Sequence, residues 1–201
     1  WSPPGAGLWM STLLRPECDR RTWGGIALVT GAATRRALAA LGAEDIELRW
    51  PNDLYAKSRK LGGILAESKD RSAGTWISLG IGINIDLESQ DLRERAPNGL
   101  SDRIICLREV NPAAESDPEK IALAILEELR PLYGQFQQGG KLDDILEGDL
   151  SVTGRKVLVE HPGKPALRGT AKGLGDRGEL TVIDEEGTTH EIVAADGRAT
   201  W

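Results

Sequence analysis

The sequence predicts an α+β protein: a mixed or antiparallel sheet with helices packed on it, followed by a small β-barrel. Three observations carry that class. Residues 7–14, 46–49, 61–67 and 75–85 are short apolar runs bounded by Gly, Pro, Asn or Asp, which read as strands. Residues 26–41 and 118–136 repeat apolar side chains at helical spacing. After Ser151 the texture changes to short β signals separated by turns, as in a small barrel.

Taken in order, Gly7-Leu8-Trp9-Met10-Ser11-Thr12-Leu13-Leu14 reads as a buried strand that Arg15-Pro16-Glu17 ends. From Ile26 to Leu41, Ile26, Val29, Ala33, Ala37, Leu38 and Leu41 form one helical stripe, with Gly42 as a suitable stop. Arg35 and Arg36 fall away from the stripe and read as a solvated face. A strand from Ile46 to Arg49 then enters Trp50-Pro51-Asn52-Asp53-Leu54-Tyr55. Pro51 fixes its own φ and pushes Trp50 toward an extended conformation. Asn52 and Asp53 can bend the chain through local side-chain bonds. The expected result is a polar, hairpin-like connection to a second strand from Leu61 to Glu67. Gly62 and Gly63 in that strand would let a ligand or another backbone come close.

Thr75 to Ile85 reads as an interior strand interrupted by Gly80 and Gly82. These glycines stand either for a bulged core strand or for backbone opened to a ligand. A dinucleotide fingerprint is rejected, because Ile85 takes the place of its third glycine and no helical pattern follows. Asp86 to Arg103 is polar and reads as a long loop. Asp117-Pro118 opens the clearest helix, with Ile121, Ile125, Leu129, Leu132, Tyr133 and Phe136 on one stripe and Gly139-Gly140 after it. Pro131 can kink it. A short helix over Leu142 to Leu150 is expected next. In the barrel segment, Val157 and Val159, then Leu180, Val182 and Ile183, then Ile192 and Val193 are the β signals. The expected domains are 1–149 and 150–201, with the boundary near Gly148 to Ser151.

The chain has 201 residues and a net charge of -6, from 25 basic against 31 acidic side chains. That balance speaks against non-specific nucleic-acid binding, which wants a basic surface. Cys18 and Cys106 have neither metal-ligand spacing nor a disulfide-rich context, so a reducing cytoplasm is expected. No apolar run approaches the roughly 18 residues that a spanning helix needs, so no membrane role is expected. The chain opens on Trp1-Ser2-Pro3-Pro4-Gly5, without Met or any signal-peptide pattern, and reads like the middle of a loop. Further sequence upstream is therefore expected.

Three motifs stand in order: Arg49-Trp50-Pro51-Asn52-Asp53, Lys60-Leu61-Gly62-Gly63-Ile64-Leu65, and Gly80-Ile81-Gly82-Ile83-Asn84. With Trp1-Ser2-Pro3-Pro4-Gly5-Ala6-Gly7-Leu8 and the terminal barrel signals Gly169, Gly173, Gly178 and Leu180, they resemble the biotin protein ligases from the first residue to near the last. The family's Gly-Arg-Gly-Arg-x-Gly-Arg loop is not in this chain and would fall before Trp1, so this polypeptide by itself is expected to bind biotin weakly or not at all. The resemblance implies the family's catalytic domain with a small SH3-like barrel after it. It also implies a reaction: biotin and ATP form biotinyl-5′-AMP, and the biotin passes to a lysine of a biotin carboxyl carrier protein domain.

It implies site residues as well. Lys60, Asp53 and Arg49 would be catalytic, with Lys60 between the biotin carboxylate and the α-phosphate. Lys60, Gly63, Leu65, Gly80 and Gly82 would line the biotin pocket. Asn52, Asp53, Asn84 and Trp1 would contact ATP, and Asp53 would hold Mg²⁺. The segment after Asn84 would order over the adenine. Of the alternatives, a lipoate-type ligase shares the fold, but the Arg-Trp-Pro-Asn-Asp run and the barrel speak for biotin. A non-catalytic fragment that binds cofactor or carrier belongs to a different class. A homodimer is a further expectation. No helix-turn-helix is visible, so no nucleic-acid partner is expected of this chain.

Overall fold

Alternation of large apolar with small or polar residues builds the first sheet. A computed structural model describes residues 5–71, 74–86, 103–150, 152–160, 165–193 and 198–200. Strands β1 (Gly7–Leu14), β2 (Glu47–Arg49), β3 (Asp53–Ala56), β4 (Arg59–Arg71) and β5 (Gly74–Asn84) pair in the order β1-β5-β4-β3-β2, each neighbour antiparallel. In β5, Ile77, Leu79, Ile81 and Ile83 are buried on one face while Ser78, Gly80, Gly82 and Asn84 alternate onto the other.

Helices α1 (Ile26–Ala40) and α2 (Leu107–Val110), then α3 (Pro118–Gln137) and α4 (Leu142–Ile145), lie in chain order around that sheet. Of these, α1 packs on β4 and α3 packs on α1 and β1. A 3₁₀ turn over Arg20–Gly25 leads into α1. The α3 start is as the sequence predicts: the Asp117 carboxylate accepts the Glu119 N–H at 2.9 Å, and Pro118 takes the first position, where its missing N–H is no loss. Ile121, Ile125, Leu129, Leu132 and Phe136 are buried along one stripe. Tyr133 is only half-buried; its hydroxyl finds no partner among the described residues, and burial first, then Cys18 and Glu17, push its pKa up to about 12.

The expected barrel segment forms a second antiparallel sheet from β6 (Lys156–Glu160), β7 (Leu167–Leu174), β8 (Leu180–Asp184), β9 (Thr189–Ile192) and β10 (Arg198–Thr200), in the order β10-β6-β7-β8-β9. Val157, Val159, Leu180, Val182 and Ile192 are buried in it, five of the seven apolar positions named from the β signals.

Several local readings need correction. The connection after Pro51 is not all loop, because Asp53–Ala56 is itself a strand between β2 and β4. The Trp50–Pro51 peptide is cis, and both residues lie in a turn. β1 is half-buried rather than buried, with Trp9 54% and Leu13 68% exposed. The second short helix is one turn, Leu142–Ile145. Most of the long loop expected over Asp86 to Arg103 lies outside the described residues. Among the described residues no helix is long and apolar enough to cross a membrane.

Arg35 and Arg36 are not a solvated face. The Arg35 guanidinium sits 2.8 Å and that of Arg36 2.6 Å from the two oxygens of Asp149, whose side chain is 2% exposed. Arg35 also donates to the Ile46 carbonyl at 2.9 Å, which ties α1 to the entry of β2. Asp149→Ala would leave two half-buried guanidiniums without their carboxylate and is expected to lower stability by about 2–4 kcal/mol. Denaturant unfolding checks this, and a loss below about 1 kcal/mol would place the trio among ordinary surface pairs.

Candidate active site

The open face of the first sheet carries one row of residues across all five strands. Arg49 pairs with Asp53, Asp53 with Gly63, Gly63 with Gly82, and Gly82 with Trp9. The next row is Ser11, Gly80 and Leu65. Glycines at the middle of these rows make a trough, with the Trp9 indole on one side and the Asp53 and Lys60 side chains on the other. The trough is a cavity of about 430 Å³ lined by Trp9, Ser11, Asn52, Asp53, Lys60, Gly63, Leu65, Gly80 and Gly82, among others. The floor has little spare room. A Cβ on Gly63 would stand 3.0 Å from an Asp53 carboxylate oxygen and 3.5 Å from the Lys60 amine, and one on Gly82 would stand 3.3 Å from the Trp9 ring.

Lys60 reaches this face because of an irregularity. Strict alternation along β4 would put Lys60 on the side of Ile64, which is buried. Between Leu54 and Tyr55 the pairing jumps from Gly62 to Lys60, so Leu61 is an extra residue. The bulge buries Leu61 in the core and turns Lys60 to the open face. The Lys60 amine then lies 2.5 Å from Asp53 Oδ1, with the lysine side chain 38% and the aspartate 11% exposed. The Lys60 backbone is held from the other side too, since its carbonyl accepts the Ile105 N–H at 2.9 Å.

Asn52 clips the turn to β4: its carbonyl accepts the Ile64 N–H at 2.9 Å, and its side-chain amide donates to the Ile64 carbonyl at 2.5 Å. Asn84 lies beyond Gly82 on the same face and donates to the Ile105 carbonyl at 3.1 Å. Arg49 sits at the Asp53 end of the row, but its guanidinium bonds Glu47 at 3.0 Å and lies 4.3 Å from the Tyr55 ring centroid. Gly80 and Leu65 face the trough, and Leu65 is 60% exposed. Trp1 and the segment 87–102 lie outside the described residues. The structure thus brings together Lys60, Asp53, Asn52, Gly63, Leu65, Gly80 and Gly82, with Arg49 and Asn84 at the margins. Gly80 and Gly82 sit in unbroken ladders to both neighbours, so they open the backbone rather than mark a bulge.

Sequence reasoning missed Trp9 and Ser11 as pocket residues. Read at period two, Gly7–Leu14 would have put Trp9, Ser11 and Leu13 on one face, opposite Leu8, Met10 and Leu14. Ile104 and Ile105, which back Lys60 and Asn84, carry no such signal, because their contact is set by the path of a distant segment. Among the described residues no group of three or more His, Cys, Asp or Glu side chains is placed to hold a metal. A single carboxylate at Asp53 suits only an ion carried largely by phosphate oxygens, as Mg²⁺ is at nucleotide sites.

Residues 1–84 match the model of the biotin/lipoate A/B protein ligase family. Over 197 residues the chain is 29% identical to the bifunctional ligase/repressor BirA of Escherichia coli strain K12, covering 93% of this chain and 56% of that protein. It is 31% identical over 181 residues to the biotin–[acetyl-CoA-carboxylase] ligase of Mycobacterium tuberculosis, covering 88% of this chain and 62% of that one. The solved biotin protein ligase of Aquifex aeolicus in complex with biotin and ATP aligns with a TM-score of 0.76 at 25% identity, over 97% of this chain and 78% of that chain. The chain therefore spans 56% to 62% of the length of these two curated relatives.

Crowding on the core side of β4, beneath the floor, is directly testable against the floor itself. Gly62→Ala would drive a Cβ into the Gly82 carbonyl oxygen and to 2.8 Å from Ile83, whereas a Cβ at Gly80 meets nothing closer than 3.8 Å. Thermal unfolding is expected to show a fall of about 5 °C or more for Gly62→Ala and of no more than about 2 °C for Gly80→Ala.

Proposed function

Because the chain belongs to the biotin/lipoate A/B protein ligase family, we propose that the protein activates biotin with ATP to biotinyl-5′-AMP and passes the biotin to a lysine of a biotin carboxyl carrier protein domain. Residues 1–149 form the catalytic part and residues 150–201 a second domain. The observation that carries this reading is the glycine-floored slot with an aromatic wall on one side and an ammonium on the other. Its volume falls within the usual range for small-molecule pockets.

A flat bicyclic ring can lie against the backbone of Gly63, Gly80 and Gly82, with Trp9 and Leu65 giving apolar contact and the carboxylate directed to Lys60. In the first step a biotin carboxylate oxygen attacks the α-phosphorus of ATP. The bond from that phosphorus to the bridging oxygen breaks, and diphosphate leaves. Both reactants are anions, so positive charge at the point of approach lowers the barrier. Lys60 supplies it. Without substrate the Lys60 charge rests on Asp53. A biotin carboxylate and an α-phosphate together present more negative charge than one aspartate and draw the ammonium over.

That exchange releases Asp53 for its own work. In the second step the carrier lysine's amine nitrogen attacks the acyl carbon, the bond to the AMP oxygen breaks, AMP leaves, and the nitrogen gives a proton to Asp53. Arg49 adds positive charge at the Asp53 end of the row, and Asn52 and Asn84 contact ATP from either side of Lys60. Mg²⁺, when bound, would offset phosphate charge; Asp53 would hold it together with phosphate oxygens.

The test is biotin-dependent exchange of diphosphate into ATP by the intact protein. Biotin is expected to support exchange, and lipoate and octanoate are not. Lys60→Ala should lower the rate by about a hundredfold or more. Exchange supported by lipoate and not by biotin would overturn the substrate assignment, and a wild-type rate in Lys60→Ala would remove this lysine from the mechanism.

A further inference from the structure

Trp50, immediately before the Pro51-Asn52-Asp53 turn, is 1% exposed, and its indole N–H donates to the Gly178 carbonyl at 2.9 Å. Gly178 belongs to the turn between β7 and β8 in the second sheet. That turn meets the first layer backbone to backbone. A Cβ on Gly178 would stand 3.0 Å from the Gly24 carbonyl carbon and from the Gly25 nitrogen, and one on Gly24 would strike the Arg177 carbonyl oxygen. Gly178 also has a φ of +79°, which a side chain would strain.

The turn is stiff from its own side. Buried Glu179 accepts the Arg177 N–H at 2.8 Å and the Arg177 Nε–H at 3.2 Å, and the Gly178 N–H donates to the Gly175 carbonyl at 2.9 Å. Arg177 reaches on to Glu191 of β9 at 3.0 Å. The segment from Trp50 to Asn52 is therefore pinned twice: to the second sheet through the indole, and to β4 through both Asn52–Ile64 bonds. Asp53, which meets Lys60, follows directly.

We propose that the Gly175–Gly178 turn of the second sheet sets the position of the Trp50–Asp53 turn, with Trp50 as the positioning residue that transmits it. The second sheet is then part of what holds Asp53 against Lys60, although none of its described residues lines the slot. What that position is used for rests on the biotin-activating reading above; the positioning itself does not. Trp50→Phe keeps an aromatic ring, removes the one donor, and leaves the Gly178 carbonyl unpaired beside it.

Two readouts on Trp50→Phe, Gly178→Ala and the double variant decide the matter. The first is amide hydrogen exchange at Ile64, whose N–H reports the bond to Asn52, with the β1–β5 ladder as internal reference. Expected is exchange about tenfold faster at Ile64 with the reference ladder unchanged. The second is steady-state diphosphate exchange: kcat falls about ten- to a hundredfold while KM for biotin stays within about twofold. The double variant should lose no more than the worse single one, since both changes cut the same link.

Unchanged protection at Ile64, loosening spread evenly over the sheet, or a wild-type kcat in a folded variant overturns the proposal. If Trp50→Phe does not fold, Gly178→Ala is judged by the same readouts. If the wild-type protein shows no biotin-dependent exchange but Ile64 loosens selectively, the positioning link stands and the biotin reading falls.

Discussion

The pleat of β5 is the constraint from which the rest of the first layer follows. Ile77, Leu79, Ile81 and Ile83 must be buried together, and a strand can bury them together only by sending Ser78, Gly80, Gly82 and Asn84 the other way. Each buried isoleucine or leucine is worth about 1.5–3 kcal/mol over exposure, so the covered face holds the register firmly. A slip of one residue would invert every side chain and forfeit that burial. The glycine floor of the slot is thus held in place by the core beneath it, and needs few contacts of its own.

Above that floor the Lys60–Asp53 pair depends on one broken rule. Lys60 belongs by parity to the core side of β4, where an ammonium without a partner would be costly. The extra residue at Leu61 resolves the conflict: leucine goes to the core and lysine to the carboxylate of Asp53. Gly62 permits it, because any side chain there would meet the backbone of β5. The ion pair that results is partly open to solvent, so the exchange proposed above would avoid the penalty that breaking a sealed pair carries.

Helix α1 and the segment leading into it join the layers. Arg35 and Arg36 meet on Asp149, just before the chain enters the second sheet, and Gly24 and Gly25 accept the β7–β8 turn against their backbone. Trp50 extends the same contact toward the slot. Small residues where backbones meet and a buried carboxylate shared by two guanidiniums leave little room for the second sheet to sit elsewhere. Its buried valines stabilise it as a unit, but its orientation comes from these few polar and backbone contacts.

Much of the fold was legible because it rests on local periodicity. The helix cap at Asp117-Pro118, the stripe through Ile121 to Phe136, the alternation in Thr75–Ile85 and the β texture after Ser151 each record a burial pattern within a few neighbouring residues. The grouping of Lys60, Asp53, Gly63, Gly80 and Gly82 was also within reach, because the motifs that contain them are short and distinctive. By itself, then, the chain determined its elements, the two-faced character of its central strands and the residue types offered to a ligand. Only the tertiary structure decided which way Lys60 points, that Trp9 forms the opposite wall, that Arg35 and Arg36 serve Asp149 rather than solvent, and that Trp50 answers to Gly178. Each of these is a contact between residues distant in sequence or a one-residue shift in pairing, and the energy that selects it lies in the partner rather than in the residue's own neighbours.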